Sequence, residues 1–164
     1  MTTILAIDPG TRESGVVLFD GLMVLDCAIE PNAEVLERLR HYPNSTIAIE
    51  RFEARGMPMA DDSIETVLWT GRFIQASQYP ASVLLIRRRE IKLALCGSAR
   101  AKDPNVRQAL IDRLGAPGTK KAPGPTYGVT SHGWAALAVA VVAADWMQAG
   151  GMPTAGPNTH GRCP

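Results

Sequence analysis

Two short apolar stretches of the sequence each end in an acidic residue. The first, Ile4-Leu5-Ala6-Ile7, ends in Asp8, and the second, Thr46-Ile47-Ala48-Ile49, ends in Glu50. Both predict buried strands, and parallel neighbouring strands place their carboxyl ends at one edge of a sheet, where α/β proteins bind ligands. Two carboxylates that meet there repel each other unless they share a cation. The pair therefore predicts a divalent-metal site, although either acid alone fits a turn or a solvated position equally well.

The elements that must position these acids form a strand-rich first half and a helix-rich second half. Segments 16–19 and 23–25 flank Asp20-Gly21, which is typical of a two-residue hairpin turn. One more strand is predicted at 82–86. The spacing of apolar residues predicts helices at 33–40, 61–78, 89–95, 104–114 and 131–148.

Two of these helices carry more detailed expectations. Asp61, Asp62 or Ser63 is expected to cap the second helix, whose apolar face comprises Ile64, Val67, Leu68 and Ile74. Ser131 is expected to cap the last helix. That helix is apolar on nearly all sides, which predicts burial.

The composition limits the classes of protein that fit. The chain has 164 residues, 46% hydrophobic and 20% charged, which suits one domain over 1–148 with a flexible Gly/Pro-rich tail over 149–164. The three cysteines include no CxxC pair, which excludes a Cys-rich zinc module and argues against a disulfide framework. The longest apolar run, 134–144, is too short to cross a bilayer. We therefore expect a soluble, cytoplasmic protein with no membrane partner.

Positive charge is concentrated in one segment. The chain has a net charge of only +1, but segment 87–107 holds seven basic residues and two acidic ones, a net charge of +5. Arginine and lysine supply most of the sequence-independent affinity for nucleic-acid phosphates. The segment predicts a local nucleic-acid surface, and the alternative is a solvated charged face.

Four motifs follow one another in an order and spacing that resemble those of the RuvC-type Holliday junction resolvases, which belong to the RNase H-like nucleases. The chain most resembles the compact, phage-like members of this family. The first motif is Asp8-Pro9-Gly10-Thr11 with the hairpin after it, and the second is Ala48-Ile49-Glu50. The third is the basic stretch 89–102, and the fourth is the helix start at Ser131-His132-Gly133-Trp134. The resemblance implies an α/β, RNase H-like mixed sheet, antiparallel in its first hairpins and parallel afterwards, flanked by helices.

The resemblance also implies a metal-dependent endonuclease that cleaves branched DNA by a two-metal mechanism. Asp8 would bridge the ions, and Glu50 and His132 would bind them, so these three residues are the predicted catalytic and metal-binding residues. The family carries acids at the positions of His132 and Ala135, and Ala135 cannot coordinate a metal. Glu53 and Asp61 are weak candidates to replace the missing ligand. The ion is expected to be Mg²⁺, with Mn²⁺ preferred if His132 is a ligand, because imidazole is a poor ligand for Mg²⁺.

The same resemblance implies the DNA-contacting residues and the assembly. Phosphate contacts are expected from the basic segment, and Phe52 is expected either to stack on an unpaired base or to belong to the core. Symmetric cutting implies a homodimer, for which helix 61–78 offers Trp69 and Phe73 on one face, although burial in the core explains that pair equally well. The predicted DNA-binding residues are Lys92, Lys102, Arg100, Arg88, Arg89 and Phe52.

Two other functions remain as alternatives. A non-catalytic branched-DNA-binding protein would explain Ala135, but it would not explain two close carboxylates facing phosphate. A phosphotransferase lobe like those of actin and sugar kinases shares the first hairpin pattern, but such proteins need two lobes and 164 residues provide one. If the resolvase prediction holds, the protein serves DNA recombination and repair in a bacterium or a phage-infected host cell.

Overall fold

A five-stranded mixed sheet forms the centre of the protein. The structure is a computed structural model that describes residues 3–54, 56 and 58–150. Its strands, in the sheet order β3-β2-β1-β4-β5, are β3 (Val24–Pro31), β2 (Glu13–Phe19), β1 (Ile4–Asp8), β4 (Thr46–Arg51) and β5 (Leu84–Arg87). The first three strands are antiparallel, whereas β4 runs parallel to β1 and to β5. The mixed sheet implied by the resemblance is confirmed.

Helices cover both faces of the sheet, and all five predicted helices are present. They are α1 (Asn32–His41), α2 (Asp61–Ala76), α3 (Arg88–Cys96), α4 (Asp103–Leu114) and α5 (His132–Gln148). A 3-10 turn at Pro80–Ser82 precedes β5, and a small hairpin, β6 (Gly118–Thr119) and β7 (Ala122–Pro123), lies in the loop before α5.

Alternation along the strands divides the core into two layers. Ile4 and Ala6 of β1 pack on the face covered by α3, α4 and α5, and Leu5 and Ile7 pack on the face covered by α1 and α2. Because side chains alternate with a period of two, Asp8 continues the series that faces α5. The same rule applies in β4, where Ala48 faces α5. The alternation therefore directs both strand-end acids to one side of the sheet.

Helix α5 is the central buried element. Eleven of its residues, from Gly133 to Ala144 without Ala135, are buried. The prediction that this helix is apolar on nearly all sides and buried is confirmed. Its apolar surface packs against the sheet on one side and against α3 and α4 on others, which explains why it lacks a polar face.

Three local predictions are wrong. The β2–β3 connection spans four residues rather than two: the carboxylate of Asp20 accepts hydrogen bonds from the backbone N–H groups of Leu22 and Met23. Ser131 precedes α5, but its backbone has φ 41° and ψ −121° and its side chain makes no capping hydrogen bond. Helix α2 also begins at Asp61 without a side-chain cap.

The predicted apolar face of α2 is wrong at three of its four positions, and only Ile74 packs against the core. Ile64, Val67 and Leu68 are 45%, 42% and 51% exposed, whereas Phe73 is completely buried against the sheet. Trp69 is half-buried beside Phe73, with ring centroids 5.9 Å apart. The aromatic rings bury more apolar area than the aliphatic side chains do, so the aromatic side of the helix faces the core. Phe73 is therefore not available to a second subunit.

Three expectations came from the composition, and they concern membrane spans, the cysteines and the C-terminal tail. None of the helices in the described ranges is long and apolar enough to span a bilayer. Cys27 and Cys96 are free thiols, and Cys163 lies outside the described residues. The predicted flexible tail falls almost entirely on residues 151–164, which also lie outside them, and it stays a prediction.

Candidate functional site

The carboxylates of Asp8 and Glu50 meet at one edge of the sheet. In the parallel pairing of β1 with β4, Ile7 lies opposite Ile49, and the two acids come next in each strand. Their side chains are only 13% and 12% exposed. The juxtaposition predicted from the sequence is thus present, and its cause is the in-register parallel pairing together with the alternation of side chains.

Both acids line a cavity of about 460 Å³ between the sheet edge and helices α3, α4 and α5. Its lining combines charged and apolar side chains. The charged lining residues are Asp8, Glu50, Arg88, Lys92, Asp103 and Arg107. The apolar lining residues include Trp134 and Ala135, so the position at which the resemblance implies a fourth acid lines the cavity without a ligand atom.

Burial makes the negative charge at this edge unfavourable. Desolvation and, to a smaller extent, repulsion from Asp8 raise the pKa of Glu50 to about 7, although the charge of Arg88 opposes both effects. Desolvation also raises the pKa of Asp8 above the usual carboxyl value, while the hydrogen bond and charge of His132 lower it. A cation placed between the two carboxylates would relieve both penalties.

His132 approaches Asp8 from the first turn of α5. Its Nδ1 lies 3.0 Å from Oδ2 of Asp8, and its side chain is 64% exposed. The approach depends on Gly15 in β2, because a Cβ at that position would lie 2.5 Å from the carbonyl oxygen of His132. Glycine thus permits the start of α5 to pack directly on the sheet beside the acid.

A buried polar network behind Asp8 holds the turn that follows it. Ser14 Oγ donates to Oδ1 of Asn32 at 2.6 Å, and Nδ2 of Asn32 donates to the carbonyl oxygen of Gly10 at 3.0 Å. The backbone N–H of Gly10 in turn donates to Ser14 Oγ at 3.2 Å. Ser14 and Asn32 are each 1% exposed. Sequence reasoning missed this network, because its members come from separate elements with no local motif.

Arg88 contacts Glu50 directly. Its Nη1 lies 3.1 and 3.0 Å from the two oxygens of the Glu50 carboxylate, and its Nη2 lies 2.8 Å from Oδ1 of Asp103. Nζ of Lys92 lies 3.4 Å from the same Asp103 oxygen. The sequence assigned Arg88 to DNA binding, and no sequence signal connected it with Glu50, 38 residues earlier.

The carboxylate oxygens of Asp8 and Glu50 are of the type that binds a hard divalent cation. They do not by themselves make up a complete set of ligands. Two desolvated, mutually repelling carboxylates are the oxygen ligands that Mg²⁺ and Mn²⁺ prefer. Within the described ranges, however, no three His, Cys, Asp or Glu side chains lie close enough together to hold a metal ion. The two weak candidates for a further ligand, Glu53 and Asp61, do not line the cavity, and Glu53 pairs with Nε of Arg87 at 3.6 Å. The roles assigned to Asp8, Glu50 and His132 stay predictions.

The basic segment 87–107 lies beside this edge and is only partly neutralised. Arg88 and Lys92 share Asp103, and Arg107 stacks over the ring of Trp134 at 4.8 Å from its centroid. Arg89, Arg100 and Lys102 are exposed, and each makes no ion pair with any residue that the structure describes. These three side chains are therefore available to phosphate groups.

Phe52 follows β4 two residues after Glu50. It is 37% exposed and belongs to neither hydrophobic cluster. Its alternative assignment as a core residue is wrong. Its assignment as a base-stacking residue stays a prediction.

No protein-family model matches the chain, and no curated protein matches its sequence. Among solved structures, Thermus thermophilus RuvC matches with a TM-score of 0.63 and 23% identity, covering 91% of this chain and 97% of that one. The structure described as T. thermophilus RuvC in complex with Holliday junction substrate matches with a TM-score of 0.66 and 24% identity, covering 92% and 97%.

These matches span nearly the whole of both chains, so they concern the complete architecture rather than a shared motif. The mixed sheet, the buried last helix and the paired acids at the sheet edge are the features that the sequence predicts. The chain therefore has the RuvC-type, RNase H-like fold.

Proposed function

We propose that this protein is a metal-dependent endonuclease that cleaves phosphodiester bonds in branched DNA, in the manner of a Holliday junction resolvase. The observation that carries the proposal is the pairing of Asp8 with Glu50 at the edge of a RuvC-type sheet, beside exposed basic side chains. One of the solved structures with a similar fold is T. thermophilus RuvC in complex with Holliday junction substrate. A role in recombination and repair, in the cytoplasm, follows from this proposal.

Asp8 and Glu50 would hold the divalent cation, Mg²⁺ or Mn²⁺, and His132 would contribute from the start of α5. A bound ion supplies Lewis-acid stabilisation of the phosphate and lowers the pKa of water. The chain itself orients the reacting edge, because Ser14 and Asn32 hold the turn that follows Asp8.

DNA would lie along the exposed cations of segment 87–107, with its backbone entering the cavity between α3 and the start of α5. Lys102 immediately precedes α4, where its N–H is held by Oδ1 of Asn105 at 3.0 Å. This fixes the backbone of Lys102, from which its exposed side chain can reach the DNA. Phe52, which directly follows β4 two residues after Glu50, is the proposed stacking residue for an unpaired base.

Substituting Lys102→Ala is expected to weaken junction binding for all DNA sequences and to reduce the slope of log Kd against log salt by about one, because one phosphate contact is lost. Fluorescence anisotropy with a labelled four-way junction at several salt concentrations measures this slope. Arg40→Ala is the matched control, since Arg40 lies on α1, is exposed and pairs with Glu37. An unchanged slope for Lys102→Ala would make Lys102 an ordinary surface charge.

Two symmetric cuts in a four-way junction require two active sites related by a twofold axis, so the proposal includes a homodimer. Ile64, Val67 and Leu68 form an exposed apolar stripe on α2, spaced three and four residues apart. A second copy of the chain is the proposed occupant of this stripe. The stripe takes over the role that the sequence assigned to Trp69 and Phe73.

Leu68→Glu is expected to convert the dimer into a monomer with little change in Tm, because Leu68 is 51% exposed in the protomer and a buried charge opposes association. Sedimentation velocity over a range of concentrations measures the oligomeric state. Leu22→Glu, at a residue 69% exposed on the β2–β3 loop, provides the control. A Leu68→Glu protein that sediments like the wild type would exclude α2 as the interface.

One observation favours the alternative of a non-catalytic branched-DNA-binding protein: Ala135 lies where the resemblance implies an acid, and the described residues gather no third ligand. The buried and repelling carboxylate pair opposes it, since such a pair costs stability without a function that needs it. The fold matches RuvC along nearly the whole length of the chain. This match gives no support to the alternative of a phosphotransferase lobe like those of actin and sugar kinases.

Cleavage of a labelled four-way junction, set beside a linear duplex of the same sequence and tested with Mg²⁺ and with Mn²⁺, separates these functions. A nuclease specific for branched DNA cuts the junction and leaves the duplex intact. Equal cutting of both substrates would remove the junction specificity. Junction binding without cutting in either ion would favour the non-catalytic alternative.

A further inference from the structure

Glu50 is engaged by a guanidinium rather than free to coordinate. Nη1 of Arg88 lies almost equidistant, at 3.1 and 3.0 Å, from the two carboxylate oxygens. That is the position from which a cation would be chelated by both oxygens. With Glu50 only 12% exposed, the carboxylate has little room to turn away from Arg88.

The charges around the cavity are nearly balanced while Arg88 remains there. Asp8, Glu50 and Asp103 face the positive charges of Arg88, Lys92 and Arg107. A divalent ion at Glu50 would lie within a few ångströms of the guanidinium, and two cations that close repel strongly in a partly desolvated site. Ion binding at Glu50 therefore requires Arg88 to move.

A second position for Arg88 is available at the rim. Its Nη2 already contacts Asp103, whose side chain is 64% exposed at the first turn of α4. The side chain of Arg88 is itself 34% exposed, so a pivot toward the rim does not bury its charge. The rim is where the unpaired cations of segment 87–107 would bring the DNA backbone.

We propose that Arg88 is a positioning residue that holds Glu50 in the DNA-free protein and releases it to a divalent cation when a DNA backbone phosphate at the rim takes the guanidinium. The inference rests on the proposed function. It makes metal binding and DNA binding mutually reinforcing, because coupling between two ligands is reciprocal. Arg88 thereby restricts a competent metal site to the DNA-bound protein.

Calorimetric titration of Mn²⁺ into the DNA-free protein tests the first half of the proposal. Arg88→Gln is expected to bind Mn²⁺ about tenfold more tightly than the wild type, within the usual range of coupling between sites. Arg107→Gln removes the same charge from the same cavity without touching Glu50, and is expected to change the Mn²⁺ affinity by less than about threefold. Arg88→Lys, which keeps the charge but loses the fork of donors, is expected to lie between Arg88→Gln and the wild type.

The same titration with a linear duplex present tests the second half of the proposal, which is the release of Glu50 by DNA. The Mn²⁺ that the duplex binds on its own is measured separately and subtracted. The duplex is expected to tighten Mn²⁺ binding to the wild type toward the affinity of Arg88→Gln, and to change the variant much less. Equal Mn²⁺ affinity of the wild type and a folded Arg88→Gln, checked by its Tm, would overturn the proposal even if the wild type cuts junctions. Absence of both Mn²⁺ binding and cutting in every variant would overturn the proposed function as well.

Discussion

Asp8→Asn is expected to abolish junction cutting while leaving junction binding intact or tighter. Replacing the carboxylate removes the residue proposed to bind the metal, and even outer groups at metal sites cost about 10–100-fold when they are lost, so the loss here should exceed 100-fold. Binding persists because the change removes a negative charge that faces phosphate. Cutting is measured on a labelled junction and binding by anisotropy, with both ions.

The same substitution is expected to raise the thermal stability of the protein in EDTA. Burial disfavours the charged form of Asp8, and its repulsion of Glu50 adds to the cost. Relief of about 1 kcal/mol would raise Tm by roughly 2–4 °C in a protein of this size, the usual exchange of stability for activity at functional sites.

Asp20→Asn makes the same chemical change in the β2–β3 loop, where the side-chain oxygen accepts two backbone hydrogen bonds. It is expected to leave cutting unchanged. An Asp8→Asn protein that cuts at the wild-type rate, or that binds junctions poorly, would contradict the role assigned to Asp8.

Gly15→Ala is expected to destabilise the protein by at least about 2 kcal/mol, near the middle of the range for overpacking a core. The added methyl would lie 2.5 Å from the carbonyl oxygen and 2.7 Å from the carbonyl carbon of His132. Both are backbone atoms that cannot rotate away, so the start of α5 must shift from β2. A fall in Tm of roughly 4–8 °C should accompany the loss, together with slower cutting as His132 moves from Asp8.

Gly71→Ala is the matched substitution at a glycine with open space around it. Gly71 is an exposed position in α2, and apart from its chain neighbours and the backbone of its own helix, no atom of the described residues lies within 4 Å of a Cβ built there. Alanine should stabilise that helix by up to about 1 kcal/mol, so the two variants are expected to move Tm in opposite directions. A Gly15→Ala protein as stable as the wild type would contradict the close packing of α5 on β2 that the structure shows.

The carboxylate pair was predictable because each acid carries its own local signal. Each acid directly follows an apolar strand, and parallel neighbouring strands end at one edge of a sheet, so Asp8 and Glu50 were expected together once β1 and β4 were taken as neighbours. The burial of α5 was predictable for the same reason, since a helix without a polar face has only the core to occupy.

The contacts that modify the pair were not predictable, because no residue type or spacing in the sequence signals them. The bond from Arg88 to Glu50 depends on β5 pairing with β4, and the Ser14–Asn32 hydrogen bond depends on α1 packing beneath β2. In α2, the competition between aliphatic and aromatic faces was settled by packing against the sheet. Apolar spacing alone could not decide which face Phe73 or Leu68 would take.

Strand-resolved mapping of junction cutting tests the central claim most directly. Each strand of an immobile four-way junction is labelled in turn, and the wild-type protein is incubated with Mg²⁺ or Mn²⁺ before denaturing electrophoresis. The account predicts paired, metal-dependent cuts at matching positions in two opposing strands near the crossover, with a linear duplex of the same sequence left intact. Intact strands in both ions, or cuts distributed equally over junction and duplex, would contradict it.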